Sequence, residues 1–148
     1  MHKISVERTL PDVSEQAERF TRVREAHKLE AIEDYVELID DLISVSGEAR
    51  LVDVANRMGI SQPTASKTLA RLQRDGYINS EPYRAIFLTT KGKQLADESR
   101  ARHEVVYQFL LAIGVTKDVA KRDSEGIEHH VSEETLGVFQ RLTESRFT

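Results

Sequence analysis

The sequence predicts a mainly α-helical protein in which a winged helix-turn-helix unit precedes a small all-helical unit. Three observations carry that expectation. Apolar residues recur at three- and four-residue spacing from about Ser14 to Ser46 and again from Lys91 to Ile113. Between these stretches, Gly59-Ile60 separates two short helical segments, the second with a polar and basic outer face. Two β-prone runs, Tyr77-Ile78 and Ile86-Phe87-Leu88, follow directly and read as a hairpin.

The 148 residues have room for one ordinary domain or two small ones. An apolar fraction of 39% and a charged fraction of 31% describe a soluble, charge-rich chain. No run of about 18 apolar residues exists, so no transmembrane helix is expected. Met1-His2-Lys3-Ile4-Ser5-Val6 lacks the apolar segment of a signal peptide, and a cytoplasmic location is expected. Without cysteine there is neither a disulfide framework nor a thiolate for metal or catalysis. The net charge of −4 conceals a division. Ten Lys or Arg face five Asp or Glu between Arg50 and Arg102, a local charge of +5 against −9 for the remainder. A basic middle between acidic ends points to an anionic partner for the former and cations for the latter.

Taken in order, residues 1–12 have no clear period and form an arm. Asp12 and Glu15 are spaced as a capping box for the first helix, which either runs unbroken to Ser46 or breaks between Glu25 and Lys28. Ile32, Val36, Ile39 and Ile43 make its apolar face, flanked by Tyr35 and Leu42; Asp34 and Glu37 lie opposite, as a solvated acidic face would. Gly47 ends this helix. A short helix from Arg50 to Met58 turns Leu51, Val54 and Ala55 inward. Ser61 caps the next, Pro63 sits in its first turn where a missing N–H costs little, and Gly76 follows its end. Ala65, Leu69 and Leu72 form its buried stripe, whereas Pro63, Lys67, Arg71 and Arg74 line the outer face. The hairpin tip, with Pro82 and Arg84, makes a wing. Thr89-Thr90 caps a long helix to about Ile113 whose stripe is Leu95, Val106, Tyr107 and Leu110. His103 beside it reads as a partly buried histidine. Gly114 stops that helix; Thr116 and Ser132 cap two more. Leu110, Leu111, Ile113, Val138, Phe139 and Leu142 suggest that these helices pack on one another and on a second subunit.

Glu125-Gly126-Ile127-Glu128-His129-His130 carries the chemistry. At 100° per residue Glu125, Glu128 and His129 share one helix face, while Ile127, Ala120 and Val119 face away. Like charges three residues apart repel by a few tenths of a kcal/mol unless a cation lies between them. The motif is therefore either a solvated acidic helix end or part of a divalent-cation site. His130 falls off the arc and reads as structural or solvent-facing.

Asp34-Tyr35-x-Glu37, a winged helix, Arg102-His103-Glu104 and then Glu125-Gly126-Ile127-Glu128-His129-His130, in this order and spacing, resemble the manganese-responsive MntR branch of the DtxR family. The likeness runs from Ile32 to Ser132. It implies a homodimeric, metal-activated transcriptional repressor with an N-terminal winged-helix domain, a helical dimerisation domain, and metal bound between them. On this resemblance the extension is residues 1–24, the DNA-binding domain 25–97, and the dimerisation and metal-binding domain 98–148, with no SH3-like third domain. The extension resembles that of longer proteobacterial members, and its helical period suggests wrapping over the dimer partner.

The resemblance also implies a ligand set. One ion would lie on Asp34, Glu125, Glu128 and His129, and a neighbouring ion on Glu37 and His103, with Glu125 and Glu128 bridging. These oxygen and nitrogen donors suit Mn²⁺, with Fe²⁺ or other divalent ions as substitutes, and one or two ions per subunit. The iron-responsive branch has methionine and cysteine where Asp34 and Glu125 stand. Operator DNA would meet Ser61, Gln62, Thr64 and Lys67 at its base edges and Arg71, Arg74 and Arg84 at its phosphates. The expected role is repression of manganese-uptake genes, without enzymatic activity or an organic ligand. Two rivals are a metal-independent winged-helix regulator and a metallohydrolase built on the acidic cluster; the latter lacks a nucleophile or general base once the ligands are assigned.

Overall fold

One unbroken helix, α1 (Val13–Ser46), organises the chain. The computed structural model describes residues 7–81 and 83–147; the first six residues of the expected arm and Pro82 of the wing lie outside them. Of the two readings of the first helix, the continuous one holds. No Gly or Pro falls between Val13 and Ser46, so nothing on the backbone forces a joint near Glu25–Lys28. Asp12 caps the helix by accepting from the Ser14 amide, and Gly47 ends it at φ +85°, a left-handed conformation that favours glycine.

The downstream half of α1 belongs to the winged helix. After it come α2 (Leu51–Met58), α3 (Gln62–Arg74), β1 (Ile78–Asn79) and β2 (Phe87–Leu88). The strands pair antiparallel, Ile78 with Leu88 and Asn79 with Phe87, and an isolated bridge from Ala49 to Ile86 ties the hairpin to the end of α1. Tyr35, Ile39 and Leu42 from α1 meet Val54 of α2, Leu69 and Leu72 of α3, and Ile78 and Ile86 of the hairpin in one core. Full burial of an aliphatic side chain such as Ile39 stabilises by about 1.5–3 kcal/mol. The Ser61 hydroxyl accepts from the Thr64 amide and so fixes the start of α3.

In a second group of helices, α4 (Thr90–Ala112) packs along α1, and α5 (Lys117–Ile127) and α6 (Glu133–Phe147) pack on α4. A 3-10 turn, Glu128–His130, links α5 to α6. The buried positions of α4 are Gly92, Ala96, Ser99 and Val106, while Leu95, Tyr107 and Leu110 of the expected stripe are half-buried. Small residues lie at the closest approach: a Cβ on Gly92 would stand 2.0 Å from the Tyr77 carbonyl oxygen. The seam between α1 and α4 is polar. Buried Asp40 accepts from Lys93 Nζ at 3.1 Å and Arg100 Nη1 at 3.0 Å, and buried Glu33 pairs with Arg102 at 2.8 Å. The rings of Phe109 and Phe139 stack at 4.0 Å between α4 and α6. Among the described residues no helix is long and apolar enough to cross a membrane.

Candidate metal centre and nucleic-acid surface

Three elements converge where α1 leaves the winged-helix core. Asp34 and Glu37, one turn apart on α1, face His103 on α4 and Glu125 and Glu128 on the α5 side. These five side chains line one open cleft of about 480 Å³. Glu125 and Glu128 do not share a straight α-helix. The helix tightens into the 3-10 turn at Glu128, which carries Glu128 and His129 inward and leaves Glu125 exposed at the rim.

His129 lies behind that lining, its side chain 2% exposed. Its Nε2 lies 3.2 Å from Asp34 Oδ1 and 3.7 Å from Glu128 Oε1, while Nδ1 bonds the Glu33 carboxylate. Glu33 is itself held by Arg102. A histidine fixed through one nitrogen by a carboxylate, with the other facing the carboxylates of Asp34 and Glu128, is oriented as a metal-binding imidazole is. Burial works to lower the His129 pKa, but the hydrogen bonds that its ring donates to Asp34 and Glu33 outweigh it, followed by the charge of Glu128, and raise it to about 10. An imidazolium therefore supplies positive charge among the carboxylates when no other cation does.

Glu128 is 3% exposed. Its Oε1 lies 3.7 Å from His103 Nδ1, but its Oε2 is buried without a hydrogen-bond partner. Burial pushes its pKa up to about 7; His129 opposes this, and the nearby charges of Glu37 and Glu33 add to it. Leaving a buried carboxylate oxygen unsatisfied costs about 1–3 kcal/mol or more. The residues present thus fit a divalent cation: sulfur is absent, the His103 and His129 rings each lie 3.7 Å from Glu128 Oε1, the adjacent Oε2 has no partner, and ligand atoms of Glu30, Asp34 and His129 lie within 4.8 Å of one another. Glu37 Oε2 is kept in place by the buried Ser99 hydroxyl, which donates to it at 3.1 Å.

Sequence reasoning missed the supporting residues Glu33, Ser99, Glu30 and Asp41. Arg102 beside His103 was the available signal for Glu33, since an arginine flanking a ligand needs an anionic partner. Periodicity could not reveal Glu33, because α1 is buried on two sides. His130 stays outside the cleft lining, exposed as expected, with its Nε2 3.1 Å from Glu30 Oε2.

The second surface is the outer face of α3. Thr64, Lys67, Arg71 and Arg74 are exposed along it. Its flanks lie in different surroundings. Gln62 lines a cleft of about 640 Å³ between α3 and the wing, and Arg71 lines a groove beside α1 with His27 and Lys28. The hydroxyls of Ser61 and Thr64 bond each other at 2.9 Å. Arg84 pairs with Glu81 at 2.9 Å on the exposed wing. Beside it Tyr83, with φ 62°, is wholly exposed.

Residues 28–86 match the family described as iron dependent repressor, N-terminal DNA binding domain, and 89–145 its metal binding and dimerisation domain. The chain is 56% identical over 135 residues to the transcriptional regulator MntR of Escherichia coli O6:H1, covering 91% of this chain and 87% of that protein. Against the transcriptional regulator MntR of Salmonella typhimurium it is 54% identical over 139 residues, or 94% and 88% of the two chains. A solved structure described as a manganese-dependent transcriptional repressor complex with manganese superimposes with a TM-score of 0.68 at 24% identity. It covers 76% of this chain, which spans about half of it (52%), and the likeness is one of fold.

Proposed function

Because the chain belongs to the MntR branch of the DtxR family of iron-dependent-type repressors, we propose that it is a Mn²⁺-activated homodimeric repressor. It binds palindromic operators of manganese-uptake genes, in the cytoplasm. The observation that carries the metal reading is the unpartnered, buried Oε2 of Glu128 in a cleft lined from α1, α4 and α5. Asp34, Glu125, Glu128 and His129 would hold one ion; Glu37 and His103, with Glu125 and Glu128 bridging, would hold a second. Fe²⁺ would satisfy the same donors. The cation supplies positive charge to carboxylates that otherwise rely on the His129 proton.

What the protein contributes is position. Asp34 and Glu37 lie on the same helix as Ile39 and Leu42, which anchor the winged-helix core. Drawing their carboxylates toward Glu128 and His129 fixes α1 against the C-terminal helices, and with them the winged helix against the dimer. We take 25–97 as the DNA-binding unit, 98–148 as the dimerisation and metal-binding unit, and 1–24 as an extension. In the dimer, two α3 helices would be set for successive major grooves, about 34 Å apart. Ser61, Gln62, Thr64 and Lys67 would approach base edges, and Arg71, Arg74 and Arg84 phosphates. Ser61 would meet DNA by sharing its capping hydroxyl, and Arg84 through the guanidinium donors that its Nη1 pairing with Glu81 leaves over. The operator gel shift tests this reading. The expected result is retardation with Mn²⁺ and its loss on chelation; equal retardation in both conditions defeats the metal switch.

A further inference from the structure

A second group of metal-ligating side chains lies outside the six ligands above, one to two turns upstream on α1. His27 and Glu30 are three residues apart on the helix and so project to one side. There the 3-10 turn brings His130 to them. His130 Nε2 is 3.1 Å from Glu30 Oε2, and its ring stands edge-on to that of His27, with centroids 5.4 Å apart at 88°. One ligand atom from each of the three lies within 4.8 Å of the other two, a separation that small side-chain rotations close onto one ion.

The position is built rather than incidental in two respects. The backbone that carries His130 is held in place by its neighbour His129, whose ring is 2% exposed and bonded to Glu33 and Asp34. Glu30 finds its ion-pair partner, among the described residues, in His130 rather than in lysine or arginine. The donor set also differs from that of the neighbouring cleft. Two imidazoles and a single carboxylate favour borderline ions over the harder Mn²⁺, with remaining positions left to water.

We propose that His27, Glu30 and His130 form a separate binding site for a borderline divalent cation of the Zn²⁺, Co²⁺ and Fe²⁺ class. An ion there pins α1 to the 3-10 turn at a second point. Glu30 couples it to the cleft, since a Glu30 ligand atom also lies within 4.8 Å of ligand atoms of Asp34 and His129. The site does not rest on the manganese reading.

Equilibrium dialysis of the full-length, chelator-stripped protein against Zn²⁺ tests it, comparing wild type with His27→Ala and with His130→Ala. Circular dichroism confirms that each variant folds; His27 is exposed on a helix, so its truncation leaves the core untouched and removes only the ring contact with His130. The expected result is one Zn²⁺ ion fewer per subunit in each variant, with the Mn²⁺-dependent gel shift of His27→Ala retained. Equal Zn²⁺ occupancy of wild type and His27→Ala across the titration overturns the proposal, as does a loss confined to His130→Ala. Operator binding indifferent to Mn²⁺ would defeat the manganese reading and leave this ion count untouched.

Discussion

Glu33 shows how much of the metal centre is settled one residue away from any ligand. It is 2% exposed, is paired by Arg102, and bonds the Nδ1 side of His129. That contact leaves Nε2 as the nitrogen facing Asp34 and Glu128 and sets the ring plane. Glu33→Gln keeps the shape but removes the anion. Mn²⁺ affinity should fall by about 10- to 100-fold, as measured by titration of the apo-protein. An unchanged affinity would show that packing alone orients His129. The residue was invisible to pattern reading for a physical reason. A period assumes one wet side and one dry side, whereas Glu33 and Asp40 are buried on α1 because α4 brings Arg102, Lys93 and Arg100 to them from far along the chain.

Among the elements, legibility followed locality. The start of α3 at Ser61, its stripe of Ala65, Leu69 and Leu72, and its end before Gly76 were all readable, because caps and helical stripes are decided within a few residues. The hairpin was readable in outline, but not the Ala49–Ile86 bridge that fastens it, which pairs residues across α2 and α3. Nor was the phase of the Glu125–His130 motif: a tightening from 3.6 to 3.0 residues per turn re-aims His130 toward α1, and no residue in the motif announces it. Gly92 is where one element most limits another. Gly92→Ala places a methyl against the Tyr77 carbonyl and must push the hairpin off α4. We expect a loss of about 1–3 kcal/mol in urea unfolding, typical of overpacking. A variant as stable as wild type would mean that the hairpin moves freely on α4.

For the whole molecule, the apolar residues that the C-terminal helices leave uncovered matter most. Ile113, Val138 and Leu142 are exposed in the single chain, Leu142 by 51%, although they lie next to the Phe109–Phe139 stack. In a family defined by a dimerisation domain these side chains are the candidates for burial against a second copy. Leu142→Glu should shift sedimentation toward the monomer and weaken operator binding at least tenfold, because each subunit then binds its half-site alone; a variant that stays dimeric would move the interface elsewhere. The unbroken α1 has a further consequence, best put mechanically. At about 1.5 Å per residue its 34 residues make a beam roughly 50 Å long, without a hinge. The carboxylates at Asp34 and Glu37 and the anchors at Ile39 and Leu42 are mounted within three turns on that beam, so there is no slack between input and output. A displacement imposed at the ligands is therefore carried along the same helix to the winged-helix core. A flexible joint placed between Glu37 and Ile39 would be expected to leave ion uptake intact while disconnecting it from DNA.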